Sequence, residues 1–382
     1  MSAPRILFYV QHLLGIGHRH RAMILATAMR EAGLAVTLVN GGMADEGEKA
    51  EGVAVVQLPP VRAGDAELRT IIDAAGRPLD NALRARRREQ LLAALAATAP
   101  AAVLVESYPF GRRAFRFELG PLIAAARAMC PPPIILSSIR DVLVAKSDPV
   151  RAADIVEAVE RDFDGVLVHG DPRLIRLEES FPAAAALGDK LFYTGYVTRA
   201  AEDGGAAGIG EVLVSAGGGA VGARLLGTAL AARPLTSLAH APWRLVTGPN
   251  LAASAFHDLA AAAPPGVTVE RYRPDLPAML RRCVLSISQA GYNTVLDLIA
   301  ARARAVVVPF AQGRETEQQQ RAERLASRGL VTLLRESELD PPQLAAAITE
   351  ALAAPRLREP SLDLDGARRS AATIRALLRE RT

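Results

Sequence analysis

Histidine titrates nearest neutrality, so a His beside a tight turn at a sheet edge is the first candidate for moving protons. His18 closes the turn Gly15-Ile16-Gly17-His18, between an apolar run at 5–10 and a helical stretch from about 21 to 32. Gly15 and Gly17 let the chain turn sharply, and the helix start adds free N–H groups and partial positive charge. The turn is predicted to hold a polar or anionic ligand, with His18 as candidate general base. His20 lies two residues on, off the helical face of His18, so a two-His zinc site is not predicted. A second small-residue turn, Ala216-Gly217-Gly218-Gly219-Ala220, follows the apolar run Val212–Ser215. It again offers backbone N–H groups to phosphate. A third stretch runs from Ser286 through Gly291, Asn293, Thr294 and Asp297, then on to Glu317 and Gln318. Its small, amide and carboxylate groups suit a ligand rich in hydroxyls.

Positioning such groups needs parallel strands with helices between them. Short apolar runs at 5–10, 35–39, 53–58, 102–105, 134–137 and 165–168 alternate with amphipathic segments. Runs apolar on both faces suit a parallel sheet covered on both sides. Residues 192–197 look like a crossing strand, and 199–210, rich in Gly, Ala and acid, read as a linker. The pattern restarts at 212–215, 243–247, 267–270, 284–288, 305–309 and 331–334. The expectation is an α/β chain of two Rossmann-like doubly wound domains facing a cleft, 1–195 and 211–366, with a closing helix at 367–382.

Composition narrows the function classes. The chain has 382 residues, 50% hydrophobic and 23% charged, as a globular protein has. Two cysteines, Cys130 and Cys283, exclude a disulfide scaffold and a Cys-rich zinc module. A net charge of +4 with only 4% aromatics argues against nucleic acid as a partner. The apolar run at 6–10 is too short for a signal peptide or a membrane span, so a cytoplasmic protein is expected, with peripheral contact at the inner membrane face as the alternative. The run Arg84-Ala85-Arg86-Arg87-Arg88 is expected as a solvated helix face, with an anionic-lipid patch as the alternative. A dinucleotide fingerprint fails twice. Its third Gly would fall at His20, and the second strand ends in Asn40 without an acid for a ribose. No Walker-type Gly-Lys-Ser/Thr occurs. Asp162-Phe163-Asp164 has the spacing of a metal motif but precedes a strand, and is expected to be a turn. Glu315 and Glu323 fall at an E-x7-E spacing without its flanking residues, which is taken as chance.

The turn at 15–18, the Gly run at 217–223 and the segment 288–322 together resemble the family 28 glycosyltransferases. These include the GlcNAc transferases of the peptidoglycan lipid intermediate. Glu106–Arg113 and Ser138–Asp141 resemble a group of predicted glycosyltransferases closer still. The resemblance implies the two-domain glycosyltransferase fold called GT-B and an inverting transfer that needs no metal and no cofactor beyond a UDP-sugar co-substrate. It places the nucleotide-sugar donor on the C-terminal domain. There Gly217, Gly218 and Gly219 would face the diphosphate, and Tyr272 and Arg273 the base. Gly291, Asn293 and Thr294 would line the turn beneath the donor. Asp297 would hold the ribose, and Glu317 and Gln318 would read the sugar. It places the acceptor, a glycolipid, polysaccharide or small molecule, near Gly15, Gly17, Glu106 and Arg140. Asp297 stands where the peptidoglycan enzymes carry Glu, and Glu317 where they carry an amide. Two other readings fit the same fold, a sugar-nucleotide 2-epimerase and a catalytically silent sugar-nucleotide-binding protein.

Overall fold

The computed structural model describes residues 3–13, 17–44, 51–65, 70–143, 148–198, 205–217, 222–311, 317–355 and 362–381. The chain divides into two compact units, one made of Met1–Val197 with Asp365–Thr382, the other of Thr198–Leu364.

The first unit carries strands β1 (Arg5–Val10), β2 (Ala35–Asn40), β3 (Ala54–Gln57), β4 (Val61–Ala63), β5 (Ile71–Asp73), β6 (Ala102–Glu106), β7 (Ile134–Arg140), β8 (Gly165–His169) and β9 (Leu191–Tyr193). Seven of them form one parallel sheet in the order β3-β2-β1-β6-β7-β8-β9, while β4 and β5 pair apart as an antiparallel ribbon. The apolar runs are buried on both faces because helices cover both. Leu7, Tyr9, Val103, Val105 and Ile135 join one core cluster. Their alternating neighbours Ile6, Phe8, Val10, Leu104 and Leu136 join another. The second cluster also takes in Ala371 and Ile374 of the closing helix Gly366–Glu380. That helix, set apart at 367–382 on sequence grounds, is therefore part of the first unit. Gly366 fixes its entry, since a Cβ there would meet the Gly195 carbonyl oxygen at 2.3 Å.

The second unit carries β10 (Val212–Ser215), β11 (Trp243–Val246), β12 (Val267–Glu270), β13 (Leu285–Ser288), β14 (Ala305–Val307) and β15 (Thr332–Leu333). They form a parallel sheet in the order β12-β11-β10-β13-β14-β15. Trp243 is core, its ring N–H donating to the Leu238 carbonyl at 2.9 Å.

In both sheets the strand order reverses beside the first strand. β1 lies between β2 and β6, and β10 between β11 and β13. The carboxyl ends at such a switch point are where open α/β sheets bind ligands. Each Gly-rich turn of the sequence leaves its sheet at one of these points.

Candidate active site

The switch point of the first sheet brings His18 and Glu106 together across 88 residues of sequence. The helix Gly17–Glu31 starts after β1, so His18 lies in its first turn. Glu106 ends β6, the non-sequential neighbour of β1. His18 Nδ1 lies 2.6 Å from Glu106 Oε1. Arg21, one turn along the same helix, contacts the same carboxylate oxygen. Glu106 and Arg21 are buried, while the His18 side chain keeps 22% exposure, which leaves its far edge open to a ligand.

Burial alone would raise the pKa of Glu106. The hydrogen bond from His18, with the charges of Arg21 and Arg112, outweighs it and holds the carboxyl well below its ordinary range. An ionised carboxylate only accepts, so Nδ1 of His18 carries the proton and Nε2 keeps its lone pair. Burial pushes the His18 pKa down to about 3, against the pull of Glu106 and helped by Arg112 and Arg140. At neutral pH the pair is a neutral imidazole oriented by an anion. An imidazolium formed there would find its counter-charge in contact. Glu106 Oε2 is buried and accepts no hydrogen bond among the described residues.

Other groups gather at the same edge. Arg112 sits in the left-handed backbone region (φ 59°) and donates from Nε to the Gln11 carbonyl at 2.7 Å. Arg140 ends β7 in register with His169 on β8. Sequence reasoning passed over His169. It is fully buried between Ser138 Oγ (2.8 Å from Nε2) and Thr194 Oγ1 (3.0 Å from Nδ1). Asp141 is buried too, accepting from the Val142 N–H and the Tyr196 hydroxyl. Gly17 opens the His18 helix, and Gly15 lies outside the described residues.

The basic run at 84–88 is corrected at Arg87, while Arg84, Arg86 and Arg88 are exposed as expected. Arg87 is neither solvated nor a lipid contact. It is fully buried and forks onto Glu118, at 2.9 Å from Nε and 2.7 Å from Nη2. It also donates to Gln11 Oε1 and to the carbonyls of Gly41 and Pro59. Tyr9 donates its hydroxyl to the same Glu118 at 2.6 Å. Arg87 thus ties the ends of β1, β2 and β3 to the helix Arg116–Arg127, behind the loops that carry the site. Both partners lie on buried stripes, Arg87 with Leu91, Ala94 and Leu95, Glu118 with Leu119, Leu122 and Ile123. That periodicity was the available signal.

In the second unit, Gly217 follows β10 with φ 65°, a conformation that favours Gly. Gly218 and Gly219 lie outside the described residues. Gly222 closes the turn against Ala216, where a Cβ would come within 1.9 Å of the Ala216 Cβ. Gly291 precedes the helix Tyr292–Ala301, on which Asn293, Thr294 and Asp297 are each partly exposed. Gln318 Oε1 accepts from the backbone N–H of Ala290 (3.1 Å) and Phe310 (3.2 Å), pinning together the loops after β13 and β14. Its carbonyl oxygen is thus engaged by the fold. Glu317 is buried and pairs with Arg321 at 3.2 Å, a residue that sequence reasoning did not single out. Arg321 also donates to the Ala290 carbonyl and lies over the Tyr292 ring, 5.3 Å from its centroid. Tyr272 is exposed, and Arg273 is held in a two-point pair by Asp275 at 2.8 Å. Asp164, of the Asp162–Asp164 spacing, is structural: it accepts from the Ile135 N–H at 2.7 Å and pairs with Arg127. Glu315 lies outside the described residues.

The architecture defines the class. Over 99–100% of its length the chain matches solved glycosyltransferases of the GT-B fold. One is the glycotransferase of kitacinnamycin (TM-score 0.63, 18% identity, 99% of that chain). Another is Acinetobacter baumannii MurG (TM-score 0.58, 16% identity, 99% of that chain). Within that class, residues 213–372 match the family model described as the glycosyltransferase family 28 C-terminal domain. Sequence relatives are UDP-N-acetylglucosamine--N-acetylmuramyl-(pentapeptide) pyrophosphoryl-undecaprenol N-acetylglucosamine transferases. That of Xanthomonas axonopodis pv. citri is 35% identical over 153 residues, 39% of this chain and 35% of the relative. That of Synechococcus sp. is 29% identical over 96 residues, 25% of this chain and 26% of the relative. The chain thus spans about a third or less of the length of these relatives.

Proposed function

We propose that the protein is an inverting glycosyltransferase that moves a hexose or N-acetylhexosamine from a UDP-sugar to an acceptor hydroxyl, with His18 as general base. The observation that carries this reading is the His18–Glu106 pair at the switch point of the first sheet. In the proposed step the acceptor oxygen forms a bond to the anomeric carbon. The bond from that carbon to the diphosphate oxygen breaks, and its electron pair leaves with the nucleoside diphosphate. The hydroxyl proton passes to His18 Nε2, and Glu106 stabilises the imidazolium. The turn at Gly217, with the residues beyond it, would take the negative charge gathering on the diphosphate. A single displacement of this kind inverts the anomeric centre. The acceptor is a glycolipid, polysaccharide or small molecule. Placement in the cytoplasm, with peripheral contact to a membrane, goes with the lipid-linked option. Among the described residues no helix is long and apolar enough to cross a membrane.

The test is a thermal-shift panel of nucleotide diphosphates and nucleotide sugars, since a ligand that binds the native state raises the unfolding midpoint. A UDP-sugar should raise it, and Asp297→Ala should remove the shift. His18→Ala should keep the shift while transfer drops by about two to four orders of magnitude. Full turnover in His18→Ala would sink the assignment of the base.

A further inference from the structure

Glu106 can orient His18 productively in only one of its protonation states. As a carboxylate it accepts from Nδ1–H and leaves the lone pair on Nε2. As a neutral acid it would donate its own proton to Nδ1. The ring proton would then sit on Nε2, and the base would be lost. Glu106 is buried at the end of a parallel strand, and burial favours the neutral acid. His18, neutral at working pH, supplies a hydrogen bond but no standing charge. The group in contact that does carry charge is Arg21, whose guanidinium lies on the same Oε1 that faces His18. His18 and Arg21 are three residues apart on one helix, so a single turn of backbone delivers base and cation to one oxygen.

We propose that Arg21 is a positioning residue that locks His18 in the Nδ1–H tautomer by keeping Glu106 ionised. This rests on the reading of His18 as base, and it concerns a residue that does not itself touch substrate. Among the described residues, the other charged and titratable groups that act on this pair include Arg112, Arg140 and His169. Arg112, on the loop after β6, also lowers the Glu106 pKa, and its Nε is held by the Gln11 carbonyl. Arg140, at the end of β7, acts on His18 and on Arg112. His169, at the end of β8, feels both Arg21 and Glu106 and is kept neutral by burial. Arg21 is the guanidinium that lies on the oxygen facing His18.

The experiment is nitrogen NMR of protein labelled at the histidine rings, with the His18 signals assigned by their loss in His18→Ala. The wild type at pH 7 should show a protonated Nδ1 and an unprotonated Nε2. In Arg21→Gln the pH at which the form protonated on Nδ1 and free on Nε2 gives way should move up by about 1–3 units, the span that one opposite charge in contact produces, and the acid limb of kcat should move with it. The donor KM should stay within about twofold, because the Arg21 side chain is buried behind Glu106 and does not itself reach a ligand. Arg21→Lys, which keeps the charge, should undo most of that shift. An unchanged ring titration in a folded Arg21→Gln protein would overturn the proposal. So would a wild-type ring protonated on Nε2, a result that needs no variant to fold. The ring spectrum is read without donor or acceptor, so it judges Arg21 even if no transfer is found. Conversely, transfer that survives His18→Ala would remove the base and leave the tautomer measurement standing.

Discussion

At the scale of the residue, the depressed titration of His18 makes a prediction about pH. A base works only while unprotonated. An ordinary His begins to fail below about 6.5, whereas His18 is held near 3. The profile of kcat/KM should therefore stay flat through pH 6.5 and down to about 5. Initial rates in a series of overlapping buffers check this. An inflection near 6.5 would mean that His18 is solvated and unpaired when substrate arrives. Glu106→Gln takes away the counter-charge of the imidazolium while keeping the volume of the side chain. It should lower kcat far more than it changes donor affinity, by roughly one to three orders of magnitude. The place of His18, at the start of the helix after β1, was legible in sequence because glycines after an apolar run mark a strand-to-helix turn. The role of Glu106 was not, because it depends on β6 lying beside β1. Nothing local in residues 102–106 states that neighbour.

At the scale of the element, the sequence marked the strands well and the polar braces poorly. Most strands of the two parallel sheets fall on or within one residue of an apolar run, because a strand covered on both faces has to be apolar throughout; β7 runs on three residues past its run, to Arg140. Arg87, Glu118 and Arg321 break that correspondence. They are charged residues on buried helical stripes, and composition assigns charge to the surface unless the stripe is traced. The brace around Arg87 should be expensive to break. Arg87→Ala leaves the Glu118 carboxylate, itself fully buried, without its cation. Removing one partner of such a pair costs about 3–5 kcal/mol. Urea unfolding should show that loss, and the pair of substitutions Arg87→Ala and Glu118→Ala should cost less than the sum of the two alone. Gly222→Val makes a parallel case in the second unit. The added side chain meets Ala216 at once, so the turn after β10 must open. Nucleotide binding should weaken at least tenfold, about 1.4 kcal/mol or more, with little change in the fold. Isothermal titration with the nucleoside diphosphate measures it.

At the scale of the whole molecule, two buried histidines tie stability to pH. His18 and His169 are both held at about 3 in the folded chain, each chiefly by burial. In the unfolded chain both titrate near 6.5. Below that value the unfolded state takes up protons that the folded state refuses. The stabilisation is therefore complete above about pH 6.5 and is lost as the pH falls toward 3. Each unit of difference corresponds to about 1.4 kcal/mol for each group, so the effect of both is large between pH 6 and 4. It adds to the carboxylates only at the lower end of that window, where their own pairs begin to protonate. His169 is the better probe, because it bears on folding through Ser138 and Thr194 and not through the proposed base. His169→Gln keeps a hydrogen-bonding side chain that cannot take the proton. At pH 7 it should be less stable than the wild type, since an amide fits the Ser138–Thr194 gap less well than an imidazole. Between pH 6.5 and 4.5 its urea midpoint should fall less steeply than that of the wild type, and the two curves should converge as the pH drops. Parallel curves across that range would mean that His169 already carries its proton in the folded protein. The neutral character assigned to the edge of the first sheet would then be wrong for His18 as well.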